Sequence, residues 1–173
     1  MINSFRAEFS RYRSIGDRAL AQASDDALNR VPMTDGNSLG MLVRHISGNL
    51  KSRFTDFLTT DGEKAWRNRD GEFEERPYSR SDVDEMWTGG FDILEETLRT
   101  LTDNDMQAIV VIQGEEWTVH GALARAVAHL SYHVGQMVLL ARIEADEDWE
   151  WISIAKNKSG DYNANPDSER GFK

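Results

Sequence analysis

Four histidines, His45, His120, His129 and His133, are the side chains of this sequence best suited to hold a metal ion, because the chain contains no cysteine. Without thiols, disulfides, zinc–thiolate sites, iron–sulfur clusters and a cysteine nucleophile are excluded, and a transition-metal site must be built from His, Asp, Glu or water. His129 and His133 stand four apart in the segment AVAHLSYHVGQMVLLAR. On a helix that spacing separates two side chains by only about 40° in direction and one turn in height, so both imidazoles can reach a single ion. Gln136 falls on the same face. Leu130, Ser131 and Tyr132 fill the positions between the two histidines, so the glutamate that acts as general base in zinc proteases is missing and that chemistry is excluded.

His45 sits on a second helical segment, in a strip with Ser38, Met41, Leu42, Asn49 and Ser52. This mixed polar and apolar strip at the edge of a core face suits the wall of a pocket. His120, beside Gly121 at the expected start of the last helix, is more than two turns from His129 and is set aside. Spacing alone leaves two readings open. His129 and His133 share an ion, or they are satisfied histidines of a helix interior and His45 is unrelated to them. A shared metal would remove the cost of burying unpartnered imidazoles, on the order of a kcal/mol or more each.

The elements that must position these residues are helical. Ile2, Phe5, Phe9, Tyr12, Ile15, Ala19 and Ala23 recur at steps of three and four and define a first amphipathic helix. A shorter turn runs from Asp25 to Val31. Asp35 to Ser38 then signal a helix start, and a second long helix is expected from about Leu39 to Phe57. Leu58 to Arg80 form a connection of more than twenty residues, long enough in a compact domain to suggest function or mobility. Ser81, with Asp82 and Asp84, is expected to cap a third helix reaching Leu101. Gly89 and Gly90 interrupt it, a pairing that lowers helix stability unless something must come close to the backbone there. Ile109 to Val119 read as a β-hairpin turning at Gln113 and Gly114. A fourth helix follows from about His120 to Glu144, and residues 145–173 read as a strap over the bundle and then a loose tail. The fold class expected is all-α, an up-down four-helix bundle with long connections and a short hairpin before the last helix. The whole of 1–173 forms one domain, with its core in 2–144.

Length and charge narrow the function classes. A chain of 173 residues can bury an adequate core without staples. Thirty acidic residues face twenty basic ones, and the basic cluster Arg67 to Arg69 is followed at once by Asp70, Glu72, Glu74 and Glu75, which argues against a nucleic-acid partner. No stretch approaches the roughly 20 apolar residues of a membrane span, and the first residues lack a secretory pattern, so a cytoplasmic location without a membrane partner is expected. Trp87 and Trp117 read as packing residues and Trp66 as a loop anchor or pocket lid. The acidic runs Asp82 to Glu85 and Glu144 to Glu150 read as solvated faces.

The segments LVRHISGNL and AVAHLSYHVGQMVLLAR, together with KSRFTDFLTTDGEKAWRNRDGEFE and WISIAKNKSGDYN, resemble the DinB superfamily of bacterial metal-binding four-helix bundles, in a branch of domains of unknown function. The resemblance covers nearly the whole chain. It implies a bundle in which three histidines, matched here by His45, His129 and His133, hold one divalent ion at one end: nickel or zinc first, iron or manganese as alternatives. It also implies a homodimer. In the closing segment relatives tend to carry a proline and a glycine in SIPxG where this chain has Ala155 and Asn157, a departure that touches the strap and not the histidines.

Three functions follow from an open three-histidine site. As in some DinB relatives, the ion could activate an external low-molecular-weight thiol such as bacillithiol, mycothiol or glutathione for transfer to a small electrophile. A metal-bound hydroxide could instead hydrolyse a small substrate, with Tyr132 or a carboxylate of the 58–80 connection as proton carrier. The third is a non-catalytic, dimeric metal-binding module in which the ion is structural or sensory.

Overall fold

The computed structural model describes residues 1–145 and 148–164. The chain is mostly helical: α1 (Ile2–Gln22), α2 (Asp25–Asn29), α3 (Leu39–Phe54), α4 (Arg80–Thr100), then a hairpin of β1 (Ile109–Ile112) and β2 (Glu115–Thr118), then α5 (Val119–Ala145) and α6 (Ser159–Ala164). Short 3₁₀ turns at Asp70–Phe73 and Asp103–Gln107 punctuate the two long connections. Among the described residues no helix is long and apolar enough to cross a membrane.

Apolar residues at helical spacing bury one side of α1, α4 and α5, whereas α3 is buried on nearly every side. Phe9, Ala19 and Leu20 of α1, Leu42, Ile46 and Leu50 of α3, Phe91, Leu94 and Leu98 of α4, and Leu123, Leu130, Val134 and Met137 of α5 share one core. The closest pairings are α1 along α5 and α3 along α4, with α3 also meeting α5 and α1 meeting α4. Arginines tie the ends of α1 and α4 together. Arg80 donates to the carbonyls of Leu20 and Ala23 at 2.9 and 2.5 Å, and Arg6 donates to those of Leu98 and Leu101 at 2.8 and 3.0 Å. Each guanidinium caps carbonyls in the last turn of a helix, where intrahelical partners run out.

Several boundaries differ from expectation for identifiable reasons. The second long helix ends at Phe54, not Phe57. Thr97 Oγ1 donates to the Phe54 carbonyl at 2.9 Å, and Asp56 turns the chain at a φ of 50°. Phe57 is buried all the same. The cap of α4 is Ser79 rather than Ser81: its Oγ accepts from Asp82 N at 3.1 Å, and the Asp82 carboxylate accepts from Ser79 N at 2.9 Å. The two donors satisfied reciprocally form a capping box. At Gly90 the expected close approach is present, since a Cβ there would lie 2.9 Å from the Ser47 Cα of α3.

The hairpin turns at Gln113 and Gly114, both at positive φ (56° and 77°), the geometry that matches a two-residue loop to the twist of its strands. Of the expected strap, residues 148–164 are described. Residues 150–152 lie against α1, where Arg18 donates to the carbonyls of Ile152 and Trp151 at 2.7 and 2.9 Å. Asn157, standing where the resemblance leads one to expect glycine, has a φ of 65°, a conformation asparagine tolerates better than most residues. The short exposed α6 was not expected, because its polar sequence carries no apolar stripe. Asp146, Glu147 and the tail beyond residue 164 fall outside the described residues.

Candidate metal centre

His45 projects from the middle of α3, and His129 and His133 from adjacent turns of α5, where these two helices meet. One ring nitrogen from each lies within 4.8 Å of the others, and the three ring centroids are 4.6 to 5.1 Å apart. Nε2 of His45 and Nε2 of His129 face each other at 3.1 Å. The three residues named from sequence thus converge. His120 does not join them; it is exposed and packs edge-on against Phe5, with ring centroids 5.5 Å apart.

The surroundings orient two of the rings. Nδ1 of His45 lies 2.8 Å from Glu72 Oε2, and Nδ1 of His133 lies 3.1 Å from Gln136 Oε1. A carboxylate or amide oxygen at Nδ1 holds the proton there and turns the Nε2 lone pair outward, the arrangement that a metal-ligating histidine needs. Glu72 is itself fixed by Arg67, whose Nε donates to Oε1 at 2.8 Å and whose Nη2 donates to Oε2 at 3.0 Å. The side chains of Arg67 and Glu72 are 1% and 6% exposed, so this fork is shielded from water. The ring of Phe73 covers one side of His45, centroids 4.7 Å apart.

Electrostatics favour the neutral imidazole at His129 and His133. His129 is pushed down to about 3 by burial, then by the charges of His133, His45, Arg53 and Arg67. His133 is lowered by burial and by His45, with Gln136 working in the opposite sense. For Glu72, burial raises the carboxyl, but hydrogen bonds from His45 and Arg67 outweigh it and hold the group below its usual range. Imidazoles that resist protonation keep their lone pairs for a cation at neutral pH. The donor set therefore fits a metal ion: three buried or half-buried nitrogens converge, two with orienting partners.

The structure also brings in residues that the spacing of histidines could not reveal. Glu72 and Arg67 come from the long 58–80 connection. It is tied down by Ser52 Oγ, which donates to the Gly62 carbonyl at 2.7 Å, and by Gly62 N, which donates to the Val111 carbonyl at 2.8 Å. The length of that connection was the one signal available. Trp66 is 60% exposed and is not among the residues that line the cavity beside the histidines. Tyr132, 63% exposed, lies edge-on to His133 with centroids 4.8 Å apart.

Fold and site together define a mostly helical protein with a buried three-histidine cluster that could hold a metal ion. Over residues 1–158 the chain matches the family described as "Protein of unknown function (DUF1572)", and it belongs to that family. The family is uncharacterised. No curated protein and no solved structure matches the chain.

Proposed function

We propose that this chain is a metal-dependent transferase of DinB type, in which the four long helices act as a bundle and His45, His129 and His133 hold one divalent ion, nickel or zinc, at the α3–α5 junction. The observation that carries the reading is the His45–Glu72–Arg67 chain. A buried, doubly anchored carboxylate at Nδ1 is more than a packing histidine requires, and it is what a ligand histidine needs. When bound, the ion would lower the pKa of a coordinated thiol or water at a position left open by only three protein ligands.

The residues around the triad favour transfer from an external thiol over hydrolysis. Glu72, the carboxylate hydrogen-bonded to the triad, has both oxygens engaged by Arg67 and one also by His45, so it serves as a positioning residue and not as a base toward water. A thiolate needs no such base once its proton has gone to solvent. The chain has no cysteine, so the thiol must come with a cosubstrate; its S–H proton would pass to solvent, and its sulfur would bond to an electrophilic carbon of a small second substrate as that carbon's bond to a leaving group breaks and the leaving group departs with the electron pair. Cytoplasmic location and a homodimeric state belong to the same reading.

Two measurements test it. Protein prepared without a histidine tag should contain about one equivalent of a divalent metal, and the metal-loaded protein should accelerate consumption of a low-molecular-weight thiol by a test electrophile. A His129→Ala variant should lose both properties. Equal thiol consumption by the variant rejects the transferase. Retention of a full equivalent of metal by the variant rejects the site.

A further inference from the structure

Beside His45 and His129 opens a cavity of about 220 Å³, lined also by Asn49, Arg53, Arg67, Arg69, Gln113 and Arg125. In a chain with a net charge of −10, four guanidiniums around so small a space call for a physical reason. Two carboxylates offset them in part. Glu72 is held by Arg67, and Glu63 lies 2.6 Å from Arg69 and 4.0 Å from Arg67. Arg53 and Arg125 have no carboxylate within salt-bridge distance among the described residues. Arg125 instead lies over the Trp117 ring, 4.9 Å from its centroid.

The cost of this arrangement falls on the two arginines that are buried. Arg53 is 7% exposed, and its Nε has no hydrogen-bond partner among the described residues; the Arg67 side chain is 1% exposed, and its Nη1 likewise has none. Burial, with the nearby charges of Arg125 and Arg67, lowers Arg53 to about 10. A buried donor without an acceptor and a cluster of like charges each cost stability. An oxyanion in the cavity offsets the repulsion among these charges, because guanidinium forks match carboxylate and phosphate geometry.

We propose that this cavity is an oxyanion subsite in which Arg53, Arg67 and Arg125 hold a carboxylate or phosphate group of a small substrate, placing the rest of that molecule toward His45 and His129. The volume, below the roughly 300 Å³ at which pockets for drug-sized ligands begin, admits one charged group with a few attached atoms and not an extended polyanion. That the anion belongs to the molecule transformed at the histidines rests on the metal reading above. That the cavity binds an oxyanion does not.

Calorimetric titration of metal-free protein with inorganic phosphate, and separately with acetate, tests the proposal at constant ionic strength set by sodium chloride. Saturable binding of one equivalent of either anion is expected, and the tighter of the two identifies the group as phosphate or carboxylate. Arg125→Met, at an exposed position, and Arg53→Met should each weaken that binding about tenfold or more, the loss expected for a charge-assisted hydrogen bond. Without anion, Arg53→Met should melt no lower than the parent protein, whereas an arginine with a purely structural role would leave a less stable fold. Absence of saturable binding to both anions overturns the proposal, as does undiminished binding by a folded Arg125→Met. A parallel zinc titration keeps the readings apart: zinc bound without anion binding defeats this subsite and leaves the metal centre standing, and anion bound without zinc does the reverse.

Discussion

Glu72 Oε2 meets His45 Nδ1 at 2.8 Å although 27 residues separate them in the chain. The contact joins the least regular segment of the protein, the connection between α3 and α4, to the middle of one of its most buried helices. It depends on a further relationship within α3. A Cβ at Gly48 would lie 2.2 Å from Glu72 Oε1, so the helix carries a glycine one turn beyond His45 and the carboxylate occupies the space this leaves.

Substitution at Gly48 should therefore run against helix propensity. Alanine in a helix interior is favoured over glycine by about 1 kcal/mol, yet Gly48→Ala should lower both melting temperature and metal affinity, because Glu72 must withdraw from His45. Thermal melts and a zinc titration check this. A stabilised variant with unchanged affinity would show that Glu72 is not seated by the helix surface.

Glu72 itself should matter in two separable ways. Glu72→Gln should weaken metal binding about ten- to a hundredfold, as loss of an orienting partner does at other metal sites. Glu72→Ala should in addition destabilise the protein by about 3 kcal/mol or more, since it strands the buried Arg67 guanidinium without a counter-charge. The double variant Glu72→Ala with Arg67→Met should recover much of that stability but none of the metal affinity. Urea denaturation and metal titration of the three variants separate the effects.

Acid should weaken the metal-free protein before ordinary carboxylates begin to titrate. His129 is held near 3 in the folded chain by burial and by neighbouring charge, against about 6.5 when unfolded. Below about pH 6.5 the unfolded chain takes up a proton that the folded chain refuses, so stability falls as pH drops from there toward 3. The lowered His133 adds in the same direction, and Glu72, held below its usual range, adds at more acidic pH. Urea midpoints measured at about pH 7.5, 6.5 and 5.5 should decline, and His129→Gln should show a shallower decline. Parallel slopes would mean that His129 is protonated in the folded state.

How far the sequence exposes this site follows from the range of each interaction. The spacing of His129 and His133 is local, and a helix converts it directly into shared direction, so the pair is legible. His45 is legible as a pocket-wall residue, but its partnership with α5 depends on tertiary packing, which only the resemblance supplied. Glu72, Arg67 and the cavity arginines have no local signature: Arg53 sits between Ser52 and Phe54 on a buried stretch of α3, and Arg67 lies in a charged loop whose composition reads as solvent-facing. The hairpin was visible because its Gln113–Gly114 turn interrupts a β-branched run. The α4 cap was misplaced by two residues because Ser79 and Ser81 are each followed three residues later by an aspartate, and only the contacts of Asp82 and Arg80 decide between them.

Asp61 accepts from Gln113 N and Gly114 N at the hairpin turn, each at 2.8 Å, and from Glu63 N at 2.7 Å. These bonds hold the Asp61 carboxyl below its ordinary range. One side chain thus fastens the start of the segment that carries Arg67 and Glu72 to a turn whose positive φ angles present two adjacent amides. In Asp61→Asn one oxygen becomes an amide that cannot accept, so a turn N–H loses its partner while the chain's volume is unchanged. The amides of Gln113 and Gly114 should then exchange faster with solvent, and metal affinity should fall several-fold as Glu72 becomes less firmly placed. Helix content measured by circular dichroism should stay the same. Hydrogen exchange read residue by residue, with a metal titration on the same sample, checks the link: faster exchange with unchanged affinity would mean that Arg67 and the space beside Gly48 are enough to seat Glu72 without the hairpin.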